Sequence, residues 1–214
     1  MALVMRNNRM RFGDLVIHQI KGIAMGMLPT PTIANLFVAI YEAEHIVPKI
    51  GSYILLLRRF INDGIGVWLH DPNPVVVKAN WTKCQALVNA MGLSWEFTAR
   101  SQKVVFMDLT IEIVNRCFVT LLYAKPMALY LYIPPNSSHA PGTLTGLVYG
   151  QVLRIYQLCS LSTDINKELA TFYRRLLARG YHPRQILPLF EKAIYNVCVH
   201  LSRTDEEKRF IAQA

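Results

Sequence analysis

The sequence predicts an α+β fold, in which antiparallel hairpins with packed helices precede a small bundle of three helices. Three observations support this prediction. Asp63-Gly64 stands between two apolar runs and is a strong signal for a hairpin turn. Apolar and polar residues alternate over residues 105–112, which is typical of a half-buried strand. From Pro141 onward the apolar residues recur at helical spacing, so we predict two domains, residues 1–135 and 136–214.

The first domain opens with a helix and a hairpin. Thr30 and Pro31 suit the N-cap and the first turn of a helix that runs to about Glu44. Residues 53–60 form an apolar strand, and residues 65–69 form a second strand after the Asp63-Gly64 turn. The helix has apolar residues at intervals of three and four: Ile33, Leu36, Phe37, Ile40 and Tyr41.

The best marked helix of the chain follows this hairpin. Asn73 can cap it, Pro74 suits its first position, and Gly92 can close it. Beyond it, residues 105–112 are predicted as one strand. Two more strands, joined by a turn at Lys125-Pro126, would complete a small antiparallel meander; they are predicted at residues 117–123 and 128–133.

Three short amphipathic helices with tight connections are predicted for the second domain. Ser162 or Thr163 can cap the middle helix, and Gly180 can end it. A bundle of this kind is typical of helix-turn-helix modules. The apolar positions predicted to face inward are Leu144, Leu147, Val148, Val152, Ile155 and Cys159, then Leu169, Phe172, Tyr173, Leu176 and Leu177, then Leu189, Phe190, Ile194, Val197, Cys198 and Leu201.

Composition favours a folded, basic protein. Of the 214 residues, 52% are hydrophobic and 17% are charged, which is enough to bury a sizeable core. The formal net charge is +9, and the excess is spread along the chain. Residues 1–140 hold 13 basic and 8 acidic residues, and residues 141–214 hold 10 and 6. A polyanion such as nucleic acid is a partner that this surface would fit, although a solvated basic face explains the charge equally well.

Cysteine and histidine spacing argues against a structural metal. The 4 cysteines form no Cys-x-x-Cys pair and the 6 histidines form no His-Glu-x-x-His pattern, so a zinc site is not expected. We expect reduced, mostly buried thiols in an intracellular protein. No run approaches the roughly 18 apolar residues of a membrane helix, and no apolar block of a secretory signal follows the first arginines. A membrane partner is therefore not expected.

Four segments in a fixed order carry a family resemblance. They are residues 19–26 with 31–37 and Glu42, residues 58–64, residues 106–109, and residues 129–132 with Ser137, Ser138 and His139, followed by residues 150–154. Together they resemble the C-terminal half of a reverse transcriptase from a non-retroviral mobile element, Penelope-like or related. The resemblance covers nearly the whole chain. It implies the C-terminal part of a polymerase palm over 1–135 and a helix-turn-helix or thumb-like region over 136–214.

The resemblance implies roles for particular residues. Asp63 and Asn62 would form the catalytic turn, with Asp63 as a metal ligand. Phe106, Asp108 and Leu109 would grip the primer. His139 is interpreted as a loop or cap residue. Residues expected to contact nucleotide and template are Gly22, Gly26, Pro31 and Asn35. Candidates for phosphate contacts are Arg59, Arg154, Arg175 and Arg179, with Arg174 and Arg184 nearby.

The chemistry of that family is phosphoryl transfer with two Mg²⁺ ions about 4 Å apart, held by carboxylates. Here Asn62 occupies one of the paired acidic positions and brings no negative charge. The strand that carries another catalytic Asp should precede Gly22, where Asp14 is the sole carboxylate and its context does not match. We therefore expect Mg²⁺ to bind poorly and the chain alone to be no competent polymerase.

Three functional interpretations remain open. The first is a catalytically impaired fragment of an RNA-directed DNA polymerase, acting with an RNA template, a DNA primer and a missing N-terminal half of the palm, and nuclear if active. The second is a non-catalytic helix-turn-helix module that binds nucleic acid. The third is a decayed element relic. Plain turn chemistry also explains Asn62-Asp63-Gly64, because these residues are common in hairpins.

Overall fold

The structure, a computed structural model, describes residues 8–22, 26 and 28–213, with the side chains of Met91 and of residues 203–213 outside that description. It combines small antiparallel sheets with helices and so confirms the predicted α+β class. The chain divides into two compact units, Met1–Thr98 and Ala99–Ala214. The domain limits expected from the sequence, 1–135 and 136–214, stay a prediction.

The first unit contains two hairpins and the helices between and after them. Its elements in chain order are β1 (Arg9–Phe12), β2 (Leu15–His18), α1 (Thr30–Tyr41), a π-helical turn (Glu42–Ile46), α2 (Val47–Ile50), β3 (Ile54–Phe60), β4 (Asp63–Trp68), α3 (Pro74–Val88) and a 3₁₀ turn (Asn89–Met91).

Helix α3 begins and ends where its sequence predicts. The Asn73 side chain accepts a hydrogen bond from the Val75 backbone N–H at 2.9 Å, and Pro74 takes the first helical position. Gly92 adopts a φ of 72° just after the 3₁₀ turn, a left-handed conformation that favours glycine. Local capping chemistry is therefore sufficient to define this helix.

The β3–β4 hairpin turns two residues earlier than predicted. Phe60 pairs with Asp63, which leaves Ile61-Asn62 as the loop, with Ile61 at a φ of 54°. A positive φ at the first loop residue alone is typical of a type II′ turn. Gly64 lies inside β4, where a Cβ would come within 3.2 Å of the Trp95 ring. The glycine that suggested a turn thus lies within the strand, where a side chain would crowd the Trp95 ring.

The second unit contains a three-stranded sheet and three helices. Its elements are β5 (Lys103–Phe106), β6 (Leu109–Val114), β7 (Cys117–Leu122), α4 (Thr143–Leu158), α5 (Ser162–Ala178) and α6 (Pro183–Gln213). The strands follow the order β5-β6-β7 with antiparallel pairing throughout.

The single strand predicted at 105–112 is wrong, because the chain reverses at Met107-Asp108. Phe106 pairs with Leu109 across a two-residue turn. Apolar and polar residues still alternate along the chain, but Phe106 now shares a face of the sheet with Leu109 rather than with Thr110. Met107 takes a φ of 54° without a glycine or proline to signal the turn. The strand predicted at 117–123 is confirmed as β7, whereas residues 128–133 have no regular secondary structure.

Each unit has its own hydrophobic core. The core of the second unit forms where α4, α5 and α6 meet, and Leu121 and Leu122 of β7 pack against it. Cys198, predicted to face inward, is exposed. The first unit has a smaller core of four buried residues, Ile46, Ile50, Tyr53 and Cys84. Buried residues of the second core include Val148, Val152, Ile155, Phe172, Leu176, Ile186, Phe190, Ala193 and Val197.

Two glycines inside α4 lower its stability without serving its packing. A Cβ built at Gly146 or Gly150 meets no heavy atom within 4 Å. We expect Gly146→Ala and Gly150→Ala each to stabilise the protein by about 0.5–1 kcal/mol, because alanine restricts the unfolded chain. Thermal and urea unfolding followed by circular dichroism would measure this. Gly180→Ala is the opposing control. It should destabilise, because Gly180 has a φ of 102°. A lower melting temperature for both helix variants would contradict the argument.

Candidate nucleic-acid interface

The hairpin turn of the first unit presents the residues assigned to catalysis. Asn62 and Asp63 are adjacent and exposed at the β3–β4 turn. Among the side chains that the structure describes, no group of three or more His, Cys, Asp or Glu could hold a metal ion. The turn itself offers one carboxylate, from Asp63, and one neutral amide, from Asn62.

Arg59 fixes this turn from the inside. Its guanidinium donates to Glu42 Oε1 at 2.7 Å, to Asn35 Oδ1 at 2.7 Å and to the Asn35 carbonyl at 3.1 Å. A fourth bond, at 2.9 Å, goes to the carbonyl of Ile61, the strained residue of the turn. The Arg59 side chain is only 8% exposed. The structure thus places Arg59 in a buried network that joins α1, the π-helical turn and the hairpin.

The residues assigned to nucleotide and template are brought together only in part. Asn35 lies in the Arg59 network, while Pro31 is exposed in the first turn of α1. Gly22 and Gly26 have φ values of 84° and 89°, so both positions favour glycine for conformational reasons. Residues 23–25 and 27 of this segment lie outside the described residues.

The three residues assigned to primer grip meet at the β5–β6 turn. Phe106 and Leu109 are a half-buried cross-strand pair, and Asp108 is exposed between them. The Asp108 carboxylate pairs with Arg154 of α4. The ion pair links the tip of the sheet to the first helix of the bundle. No sequence pattern signals it, because its partners are 46 residues apart.

Arg175 and Arg179 hold residues 128–135, which we call the strap, against α5. The Arg175 guanidinium lies 3.4 Å from the centre of the Tyr130 ring, a cation–π contact. Arg179 donates to the Tyr132 carbonyl, and the Tyr181 hydroxyl donates to the Ile133 carbonyl at 2.7 Å. These arginines therefore bind the protein's own backbone and rings.

The strap is also packed by its aromatic residues. The Tyr132 ring lies 5.4 Å from that of Phe172, edge to face. Burial raises the pKa of the Tyr132 phenol, and the nearby Arg175 guanidinium partly offsets the rise. The phenol consequently stays neutral at physiological pH.

The sheet is joined to the α4–α5 connection by hydrogen bonds. The Thr120 backbone N–H donates to Ser160 Oγ at 2.9 Å, and the Ser160 N–H donates to the Thr120 carbonyl at 2.9 Å. This pairing extends the outer edge of β7 into the connection between helices. Sequence reasoning missed it because neither residue carries a distinguishing signal.

His139 and the four cysteines differ in how far they are buried. His139 is half-buried, and its Nδ1 has no hydrogen-bond partner among the described residues. Cys84 and Cys159 are buried with their thiol pKa raised by burial, whereas Cys117 and Cys198 are exposed. The expectation of mostly buried thiols thus holds for two of the four.

Within the described residues, no helix is long and apolar enough to cross a membrane.

Loss of the Arg59 side chain should destabilise the protein strongly. We expect Arg59→Ala to cost about 2–3 kcal/mol, because it leaves the partly buried Glu42 carboxylate without its cation and Asn35 Oδ1 without a donor. Urea unfolding would measure the change. Arg58→Ala is the matched control, since the exposed Arg58 side chain donates, among the residues that the structure describes, only to the neighbouring Leu57 carbonyl. It should stay within about 0.5 kcal/mol of the original protein. Equal effects of the two variants would refute the buried network.

Comparison with known families supports the interpretation of the helical region. Residues 131–190 match the model of a family described as the animal helix-turn-helix domain. The match spans most of the strap, all of α4 and α5, and the start of α6. Neither the curated proteins nor the solved structures give a match. The chain therefore contains a region similar to an animal helix-turn-helix domain.

Proposed function

We propose that this chain is the C-terminal part of a reverse transcriptase from a non-retroviral mobile element, Penelope-like or related, and that its helix-turn-helix region binds nucleic acid. The observation that carries the proposal is the helix-turn-helix match at residues 131–190, C-terminal to a hairpin that presents Asn62 and Asp63. Its partners would be an RNA template, a DNA primer and an N-terminal half of the palm. Nuclear residence would follow from an active element.

Surface charge supports the nucleic-acid part of the proposal. Residues 131–190 contain six arginines and lysines against two acidic residues. Three of the six cations, Arg154, Arg175 and Arg179, are engaged by protein groups. The other three, Lys167, Arg174 and Arg184, are exposed on the helices, and the side chain of Arg174 hydrogen-bonds within its own helix. Exposed cations on a helix-turn-helix bundle are suited to neutralising phosphates.

The hairpin supports the polymerase part. A β-branched residue at positive φ, such as Ile61, is a backbone outlier, and such strain is concentrated at functional sites. The Arg59 network holds that residue by its carbonyl, so the position of Asn62 and Asp63 is fixed.

The side chains present do not fit the two-metal site of the family. Two Mg²⁺ ions need several charged oxygen ligands, and the turn offers only the Asp63 carboxylate, with the neutral Asn62 beside it. We therefore assign the chain no polymerase step of its own. A non-catalytic nucleic-acid-binding module is the second candidate, and the helix-turn-helix match favours it.

The isolated chain should not extend a primer. With an RNA template, a DNA primer, deoxynucleotides and Mg²⁺, we expect no extension above a blank without protein, because removing one preorganised charge typically costs about 10²–10³ in rate. Asn62→Asp alone should not restore activity, since further ligands are needed. Steady Mg²⁺-dependent extension by the unchanged chain would contradict the impaired assignment.

Nucleic-acid binding should persist without metal. We expect the full chain to bind labelled duplex DNA in EDTA, with an affinity that falls as salt rises, because phosphate contacts release counterions. Fluorescence anisotropy between about 50 and 200 mM salt would measure the slope. Absence of binding to both DNA and RNA duplexes at the lowest salt would overturn this part of the proposal.

A further inference from the structure

The geometry points to α5, rather than α6, as the helix that reads base edges in the major groove of duplex DNA. This inference rests on the proposed nucleic-acid binding and adds to it which helix enters the groove. Two helix-turn-helix pairs are possible, α4–α5 through residues 159–161 and α5–α6 through residues 179–182. A recognition helix is the second of its pair, and its N-terminal residues contact the bases. The choice therefore lies between α5 and α6.

The outward face of α5 has the composition that a groove requires. Its exposed residues recur at intervals of four, three, four and four, so they share one side of the helix, with Asn166 exposed next to it. This face contains no acidic residue, and its small side chains permit a close approach to DNA. The outward face of α5 is Thr163, Lys167, Ala170, Arg174 and Ala178.

Acidic residues of α5 lie on a different side. Asp164 and Glu168 are half-buried, four residues apart, and share their side of the helix with Arg175. Arg175 stacks on Tyr130 of the strap and so is engaged away from the outward face. The strap and the acidic groups therefore flank α5 and leave its outward face free of negative charge.

Arg174 is positioned by its own helix. Its Nε donates to the Ala170 carbonyl at 3.3 Å, and a terminal nitrogen donates to Thr171 Oγ1 at 3.2 Å. The other N–H groups of the guanidinium are available to a phosphate. Near the start of the helix, Thr163, Asn166 and Lys167 offer the hydroxyl, amide and ammonium groups that recognise base edges, with Asn suited to adenine.

The start of α6 exposes fewer side chains that could hydrogen-bond to DNA than the outward face of α5 does. Its exposed positions include Leu187 and Pro188, which carry no hydrogen-bonding side chain, and Glu191, which repels phosphate. Arg184 and Gln185 are the polar residues of its first turns.

Paired variants of the full chain test this assignment, because α5 and α6 carry matching side chains. A preferred duplex is first selected by the full chain from a pool of randomised double-stranded DNA. Asn166→Ala should weaken binding to that duplex by about 5- to 150-fold and relax the preference at one position. Arg174→Ala should weaken binding to all duplexes and reduce the salt slope by about 0.9. Gln185→Ala and Lys192→Ala, at exposed positions of α6, are the matched controls, and we expect neither effect from them.

The outcomes separate the two proposals. If the α6 variants show these losses and the α5 variants do not, the assignment to α5 is overturned while nucleic-acid binding stands. If the pool yields no preferred duplex although DNA still binds, the reading role is likewise overturned. If the unchanged chain binds no nucleic acid, the proposed function itself fails. Circular dichroism of each variant checks that the exposed substitutions leave the fold intact.

Discussion

A guanidinium group removed from water must place its N–H donors on protein acceptors, and this constraint organises the first unit of the chain. In the first unit Arg59 meets it with the Glu42 carboxylate, both oxygens of Asn35 and the Ile61 carbonyl. Because those acceptors come from α1, the π-helical turn and the hairpin, one side chain fixes three elements. The same bonds remove Arg59 from the cations that could meet a phosphate.

In the second unit, three arginines that remain partly exposed also contact protein groups. Arg175 and Arg179 are engaged by the strap, and Arg154 by Asp108. Cations that look equivalent in sequence are thus divided into those that hold the fold and those that stay exposed. Net charge alone cannot make this division, because it counts both kinds alike.

Local chemistry was predictable from the sequence, whereas long-range packing was not. The cap at Asn73, the closing Gly92 and the three amphipathic helices follow from neighbouring residues and are confirmed. The turn assigned to Asp63-Gly64 is wrong, because the chain turns at Ile61-Asn62 and Gly64 pairs inside β4, beside Trp95, 31 positions away in the chain. The strand at 105–112 is wrong because a two-residue turn preserves the alternation on which the prediction depended. The structure shows the contacts of the site residues, while the roles expected of these residues stay predictions.

The strap and the edge of β7 hydrogen-bond to the connections between the helices of the helix-turn-helix region. Tyr132 and Ile133 bind the end of α5 and the residues after it, and Thr120 pairs with Ser160 between α4 and α5. The family match begins at residue 131, inside the strap. A helix pair alone buries little apolar surface, so its connections need support from elsewhere. Here that support comes from residues N-terminal to the helices. The strap holds one side of α5, and the face that carries Lys167 and Arg174 is left to solvent.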